Sequence, residues 1–316
     1  MWKLVEKPLV LVIVGPTGVG KTELSLRLAE RLDAEIVSMD SRLVYRGMDI
    51  GTAKPGRQEM QRVRHHMIDL ANPDEVWSLA LFRKHALQAI EDIQSRGKVP
   101  ILVGGTGQYI RALMEGWVIP SQEPDPALRH CLEEWGREIG SKGLHDRLTI
   151  LDGEAARQID ASNQRRIVRA LEVIFKTGRK FSAQQVKAAP DLQFYTIGLS
   201  RPRDELYRRV DERIDQMFER GLLDEVRQLL AKGYSEKNPP FSAIGYLEAI
   251  EVLEGGMSVE GAKVAMKRKT REFIRRQANW FKSGDTAIHW YAMEPDPLEG
   301  ILNDLRIANI INPDKT

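Results

Sequence analysis

Apolar and polar positions follow two different rhythms along this chain. Leu9–Val14 is an unbroken aliphatic run, the pattern of a short strand buried on both faces. In Glu23–Leu32, Leu24, Leu28 and Leu32 recur every fourth residue, which predicts a helix with one apolar stripe. Ala34–Met39 reads as a second strand. Leu79–Arg96 reads as a helix with Leu79, Phe82, Ala86, Ile90 and Ile93 on one side, and Val99–Val103 as a third strand. Short strands alternating with helices predict a parallel sheet with right-handed crossovers. The rhythm changes near Gly116. Pro120–Pro126 is a breaker cluster and a predicted boundary, and from Pro126 to Pro190 helical patterns such as Gln164–Lys176 dominate without a convincing strand. Phe194–Leu199 and Arg203–Arg220 then restore a strand and a helix. Val259–Lys282 predicts a further helix, and the tail after Ile311 is expected to fray. The fold class expected is α/β: a parallel sheet flanked by helices, formed by residues 1–115 and 193–316, interrupted by an all-α insertion at 116–192.

Composition narrows the picture by exclusion. The 316 residues carry 47 Lys+Arg against 45 Asp+Glu, a net charge of +2, so any surface for a polyanion must be local. A single cysteine, Cys131, excludes an internal disulfide and metal sites built on several cysteines. The aliphatic run at Leu9–Val14 falls far short of the ~20 residues that span a bilayer. It leads into Gly-Pro-Thr-Gly, not a small-residue cleavage site, so no membrane segment and no signal peptide are expected and a cytoplasmic location is.

Candidate chemistry begins at the end of the first strand. Gly15, Pro16, Thr17, Gly18, Val19, Gly20, Lys21 and Thr22 fit G-x-x-x-x-G-K-[ST], between an apolar run and an amphipathic one. Glycines let the backbone turn its N–H groups toward phosphate oxygens, the following helix adds its positive end, Lys21 supplies a charge, and the Thr22 hydroxyl is a candidate Mg2+ ligand. These features make the expected core P-loop NTPase-like. The strand that would normally end in a Mg2+-fixing Asp is Val99–Val103, and it runs into Gly104-Gly-Thr-Gly107. The loop is therefore a diphosphate cradle without the usual hydrolytic apparatus, which favours transfer chemistry with diphosphate as leaving group.

Asp40 follows the second strand. Carboxyl ends of strands face the ligand crevice in such sheets, so Thr17, Asp40 and Thr106 are expected around one pocket. A carboxylate beside phosphates can bind Mg2+ through water, take a proton from a nucleophile, or simply cap a turn. Lys263–Lys282 holds eight Lys/Arg and one acidic residue, interrupted by Phe273, Ile274, Trp280 and Phe281, and Arg165, Arg166 and Arg169 form a second basic cluster. Such elements either track a phosphate backbone or form solvated faces over an aromatic seam. Arg209 and Arg213 share a helix face and either clamp a diphosphate or pair with neighbouring acids. The six histidines make no ligand set, and His65 and His66 point apart.

Taken together, Gly15–Thr22, the run Ser38–Pro55 (SMDSRLVYRGMDIGTAKP), His65–Asp69, Val103–Tyr109, Arg165–Glu172 and Ala243–Tyr246 resemble the bacterial tRNA dimethylallyltransferase family over nearly the whole chain. The resemblance implies transfer of a dimethylallyl group from dimethylallyl diphosphate to the exocyclic amine of the adenosine 3′ to the anticodon, in tRNAs reading codons that begin with U. It implies that Gly15–Thr22 hold the diphosphate, that Thr17 approaches its bridging oxygen, that Lys21 and Arg213 neutralise it, that Mg2+ sits near Thr22, and that Asp40 is the general base. Asp40, Ser41, Arg42, Leu43, Thr106, Arg129, Arg165, Arg166, Ile167, Val168 and Arg169 would face the anticodon stem-loop. Eukaryotic members end in a zinc finger; the absence of that pattern here suggests a bacterial source. A monomer is expected. The alternatives are a P-loop small-molecule kinase, an adenylate dimethylallyltransferase and a non-catalytic tRNA-binding switch.

Overall fold

The structure is a computed structural model that describes residues 7–117, 125–184 and 188–311. Most of the predicted boundary cluster, and the tail beyond Ile311, lie outside them. The first elements in chain order are β1 (Leu9–Val14), α1 (Lys21–Leu32), β2 (Ala34–Ser38), α2 (Arg57–Arg62), β3 (His65–His66), α3 (Leu79–Ser95), β4 (Val99–Val103) and α4 (Gly107–Met114). Helices α5 (Pro126–Leu151), α6 (Gly153–Gln158) and α7 (Gln164–Thr177) follow. The chain returns through β5 (Gln193–Ser200), α8 (Arg203–Glu219), α9 (Leu222–Ala231), α10 (Tyr246–Leu253), α11 (Val259–Gln277), β6 (Ile288–Ala292) and α12 (Leu298–Ile307). It divides into two compact units, Met1–Met114 with Asp191–Thr316, and Glu115–Pro190.

The first unit is built on a six-stranded sheet in the order β3-β2-β4-β1-β5-β6, and every adjacent pair is parallel. β1 sits between β4 and β5, with Leu11 opposite Ile101 on one side and Tyr195 on the other. Its residues alternate between two cores, as the strand period requires. Val10, Val12 and Val14 pack with Phe82, Ile90 and Phe241 on one face. Leu11 and Ile13 pack with Leu24, Leu28 and Ile301 on the other. A strand buried on both faces needs no polar alternation, which is why Leu9–Val14 reads as one aliphatic run. After β1 the chain moves to β2 and β3 on one side. It then returns to β4 and crosses to β5 on the other, so the loops after β1, β2 and β4 converge where the winding reverses. No described helix is long and apolar enough to cross a membrane.

The second unit has no strand among its described residues and packs α5 and α7 around Leu132, Leu144, Leu148, Ile167 and Leu171. Asp125 caps α5, its side chain accepting from Ala127 N and Leu128 N at 3.1 and 3.0 Å. Gly140 (φ 76°, ψ 163°) breaks the helical backbone within α5. The chain entering this unit meets the chain leaving it: Ala188 N donates to Gly116 O at 2.8 Å.

Candidate active site

The loop between β1 and α1 needs left-handed backbone at Gly18 (φ 85°) and Gly20 (φ 112°), where a Cβ is costly. Its carbonyls are held from outside. Arg209 Nε donates to Gly18 O at 2.8 Å, Arg201 Nε to Val19 O at 2.9 Å, and Lys21 Nζ to Gly15 O and Pro16 O at 2.8 and 2.9 Å. With these carbonyls engaged, the loop offers the N–H donors at the start of α1, which the helix itself cannot satisfy. Summed with the helix dipole they form an anion cradle.

The cradle opens into a cleft of about 490 Å3. Thr17, Gly18, Gly20, Lys21 and Thr22 line it from β1–α1, Ser38, Asp40 and Leu43 from the end of β2, Gly104 and Gly105 from β4, and Arg209 and Arg213 from α8. The structure thus brings together most of the residues expected there. Burial lowers the Lys21 ammonium to about 8; the attraction of Asp40 offsets part of that shift and the Arg213 charge adds to it. Burial also lowers Arg213, again partly offset by Asp40. The Arg213 Nε–H is buried without a hydrogen-bond partner. A donor left in this state at the rim of an amide cradle suits an anionic ligand. Asp40 fills one of the roles left open, since a carboxylate oxygen accepts from Arg42 N at 2.9 Å, as in an Asx turn, and the residue also lines the cleft.

Other expected residues fall elsewhere. Gly15, Pro16 and Val19 shape the loop without lining the cleft; the Val19 side chain is fully buried in the core. Thr106 does not line the cleft either: its carbonyl accepts from Tyr109 N and Ile110 N at 3.0 and 3.3 Å and starts α4. Ser41 also lies beside the cleft without lining it, and Arg42 is tied to Pro239 O (3.1 Å) and Ser242 Oγ (2.8 Å). In the second unit Arg165 and Arg166 are exposed. Ile167 (0% exposed) and Val168 (4%) are core residues, so their side chains present no surface to RNA; the helical period turns them inward while the arginines turn outward. Arg129 and Arg169 both donate to Glu172 Oε2, at 2.9 and 2.7 Å, and Glu172 Oε1 accepts from Asp125 N at 2.7 Å. These two arginines therefore serve first to satisfy a buried carboxylate.

The basic helix is also less free than its sequence suggests. Lys263 and Lys267 pair with Asp215, Lys269 with Glu248, and Arg271 with Asp211. Arg268, Arg275 and Arg276 are exposed. The helix ends at Gln277, short of Lys282.

Gln277 is a cleft residue that sequence reasoning missed. It is 5% exposed; its Oε1 accepts from Thr17 N at 2.8 Å and its Nε2 donates to Gly105 O at 3.2 Å, so one side chain joins the phosphate loop to the β4–α4 loop. The available signal was its place at the end of the buried stripe Ala262, Met266, Thr270, Ile274. Arg201 was missed too. His65 lines the cleft, and its Nδ1–H donates to Val63 O at 2.8 Å; burial lowers the imidazole's pKa and so favours its neutral form.

Residues 43–284 match the model of the IPP transferase family. A curated tRNA dimethylallyltransferase of Herpetosiphon aurantiacus is 48% identical over 276 residues, covering 87% of this chain and 88% of that one. Among solved structures, the full-length tRNA isopentenylpyrophosphate transferase of Bacillus halodurans is 39% identical with a TM-score of 0.70, covering 96% of each chain. A eukaryotic dimethylallyltransferase solved acting on tRNA is 29% identical with a TM-score of 0.79, covering 96% of this chain and 79% of its own.

Proposed function

This chain belongs to the IPP transferase family, and on that premise we propose that it transfers the dimethylallyl group of dimethylallyl diphosphate to the exocyclic amine of the adenosine 3′ to the anticodon, in tRNAs reading codons that begin with U. The observation that carries the reading is the single cleft in which the amide cradle, Lys21, Arg213 and Asp40 meet. An allylic C–O bond breaks readily because the developing cation is delocalised. The barrier then falls with stabilisation of the departing diphosphate, and preorganised N–H donors and cations supply it. The loop Gly15–Thr22 receives the diphosphate, Thr17 meets its bridging oxygen, and Lys21 and Arg213 face the negative charge. The diphosphate leaves with the C–O electron pair, the adenine nitrogen forms the new C–N bond, and the nitrogen's proton passes to the Asp40 carboxylate.

Among the described residues no cluster of three or more His, Cys, Asp or Glu side chains could hold a metal by itself. The Thr22 hydroxyl, which lines the cleft, would hold a Mg2+ ion there, and that ion would supply positive charge to the leaving group. The adenine must leave its stack to enter such a cleft. We assign the grip on the anticodon stem-loop to Asp40–Leu43, Thr106 and the exposed Arg165 and Arg166, with Arg129 and Arg169 acting from their Glu172 anchor. A monomer working in the cytoplasm suits this role. The test is mass analysis of tRNA after incubation with the protein and dimethylallyl diphosphate. One five-carbon group on that adenosine is expected. Unmodified tRNA, or phosphate transfer from a nucleoside triphosphate to a small acceptor, would refute the reading.

A further inference from the structure

Residues 47–55 form a stretch of cleft wall that is fastened from behind. Thr52, Ala53 and Pro55 line the same cleft as the phosphate loop and Asp40. Ala53 sits at φ 52°, a left-handed conformation that an alanine holds only where its surroundings impose it. Lys54, 8% exposed, points away from the solvent and donates to Tyr45 O at 2.9 Å, Asp49 Oδ1 at 2.5 Å and Asp69 Oδ1 at 2.6 Å. The Thr52 hydroxyl donates to Met48 O at 2.5 Å.

The second fastening comes from α9. Glu225 Oε2 accepts from Asp49 N and Ile50 N at 2.9 and 2.6 Å, and Oε1 accepts from Gly51 N at 3.1 Å and the Tyr246 hydroxyl at 2.8 Å. All four partners are donors, so the site suits an acceptor-only group, which an ionised carboxylate is and an amide is not. Burial and the Glu225 charge both raise the Tyr246 hydroxyl, which keeps it a donor. A Cβ on Gly51 would come within 2.6 Å of the Tyr246 ring, so glycine is what lets the wall approach the start of α10 this closely. These contacts are more than α9 needs in order to dock, since Leu222, Val226 and Leu229 already bury it in the core.

We propose that Glu225 is a positioning residue: by gathering the amides of Asp49, Ile50 and Gly51 it fixes the cleft wall Thr52–Pro55 and thereby sets how efficiently the allylic donor is used. This rests on the reading that the cleft performs dimethylallyl transfer. Leu43, Ala53 and Pro55 are apolar members of the lining, suited to a five-carbon chain. A wall displaced by about 1 Å costs on the order of 10²-fold in rate when it helps to orient a reactant.

The experiment uses the full chain, tRNA and dimethylallyl diphosphate. Glu225→Ala should lower kcat/KM for the donor roughly 10–100-fold while KM for tRNA stays within about twofold. Amide exchange at Asp49–Gly51 should quicken at least ~10-fold in that variant, with the sheet strands still protected. Glu225→Gln should fall between. Its oxygen can keep Asp49 N and Ile50 N and its amide can donate to the Tyr246 oxygen, but it opposes Gly51 N–H. If Glu225→Ala does not fold, Glu225→Gln carries the same split at smaller size. A donor kcat/KM within about twofold of wild type in the variants, unchanged exchange at 49–51, or equal losses for both substrates alongside a lowered melting temperature would overturn the proposal alone. Wild-type protein without turnover would overturn the functional reading, and the proposal with it.

Discussion

Lys21 offers the sharpest quantitative test. Burial brings it from the usual 10.5 to about 8, so a large fraction of the ammonium is already neutral in mildly alkaline solution. A diphosphate beside it favours the charged form and restores the ordinary value. Binding therefore prefers the protonated enzyme. Below pH 8 affinity is flat, and above it the protein must first take up a proton, so affinity falls with rising pH. Working from a free value of about 8, affinity for dimethylallyl diphosphate should be roughly 25-fold weaker at pH 9.5 than at pH 7.5, or about 2 kcal/mol. The ligand's last phosphate ionisation, with a pKa near 6, is complete by then and adds little. Calorimetry at fixed Mg2+ in buffers of different ionisation enthalpy should show about 0.9 proton taken up per ligand at pH 9. Lys21→Met should bind weakly with no such slope. Flat affinity from pH 7.5 to 9.5, or the same slope in Lys21→Met, would refute the assignment of this titration to Lys21.

Asp40→Ala should lower turnover roughly 10²–10⁴-fold even with tRNA saturating, read from single-turnover kinetics. Gln277→Ala leaves Thr17 N without its buried acceptor, a loss of about 1–3 kcal/mol; thermal unfolding should register it, and the donor KM should rise. Neutralising Arg165 and Arg166 together should weaken tRNA binding and lower the slope of log K against log[salt] by roughly one per lost contact, with dimethylallyl diphosphate affinity unchanged.

What could be read from sequence followed from period and spacing. β1, α3, β4, α7 and α8 have bounds within a residue or two of their patterns because each carries an uninterrupted apolar run or stripe. β6 was not legible: Ile-His-Trp-Tyr-Ala covers one edge of the sheet and is mostly half-exposed, so it lacks the apolar run of a central strand. β3 is two histidines whose pairing with β2 leaves no periodic trace. In the cleft, the phosphate loop and Asp40 were legible because motif and strand end fix their location. Gln277 lies 260 positions from the amide it holds, and no local spacing announces such a bond. The basic tracts misled in a specific way, since counting charge along a helix does not reveal Asp211, Asp215, Glu172 and Glu248 waiting opposite.

The bond from Ala188 N to Gly116 O makes the helical unit an excursion that leaves and rejoins the main chain at one gate. The entropic cost of joining the two sides of that gate grows only with the logarithm of the length of polypeptide beyond it, about 0.6 kcal/mol per doubling. The β1–β5 ladder does not pass through that excursion. Evolution can therefore lengthen, shorten or exchange the appended helices while the sheet is inherited intact.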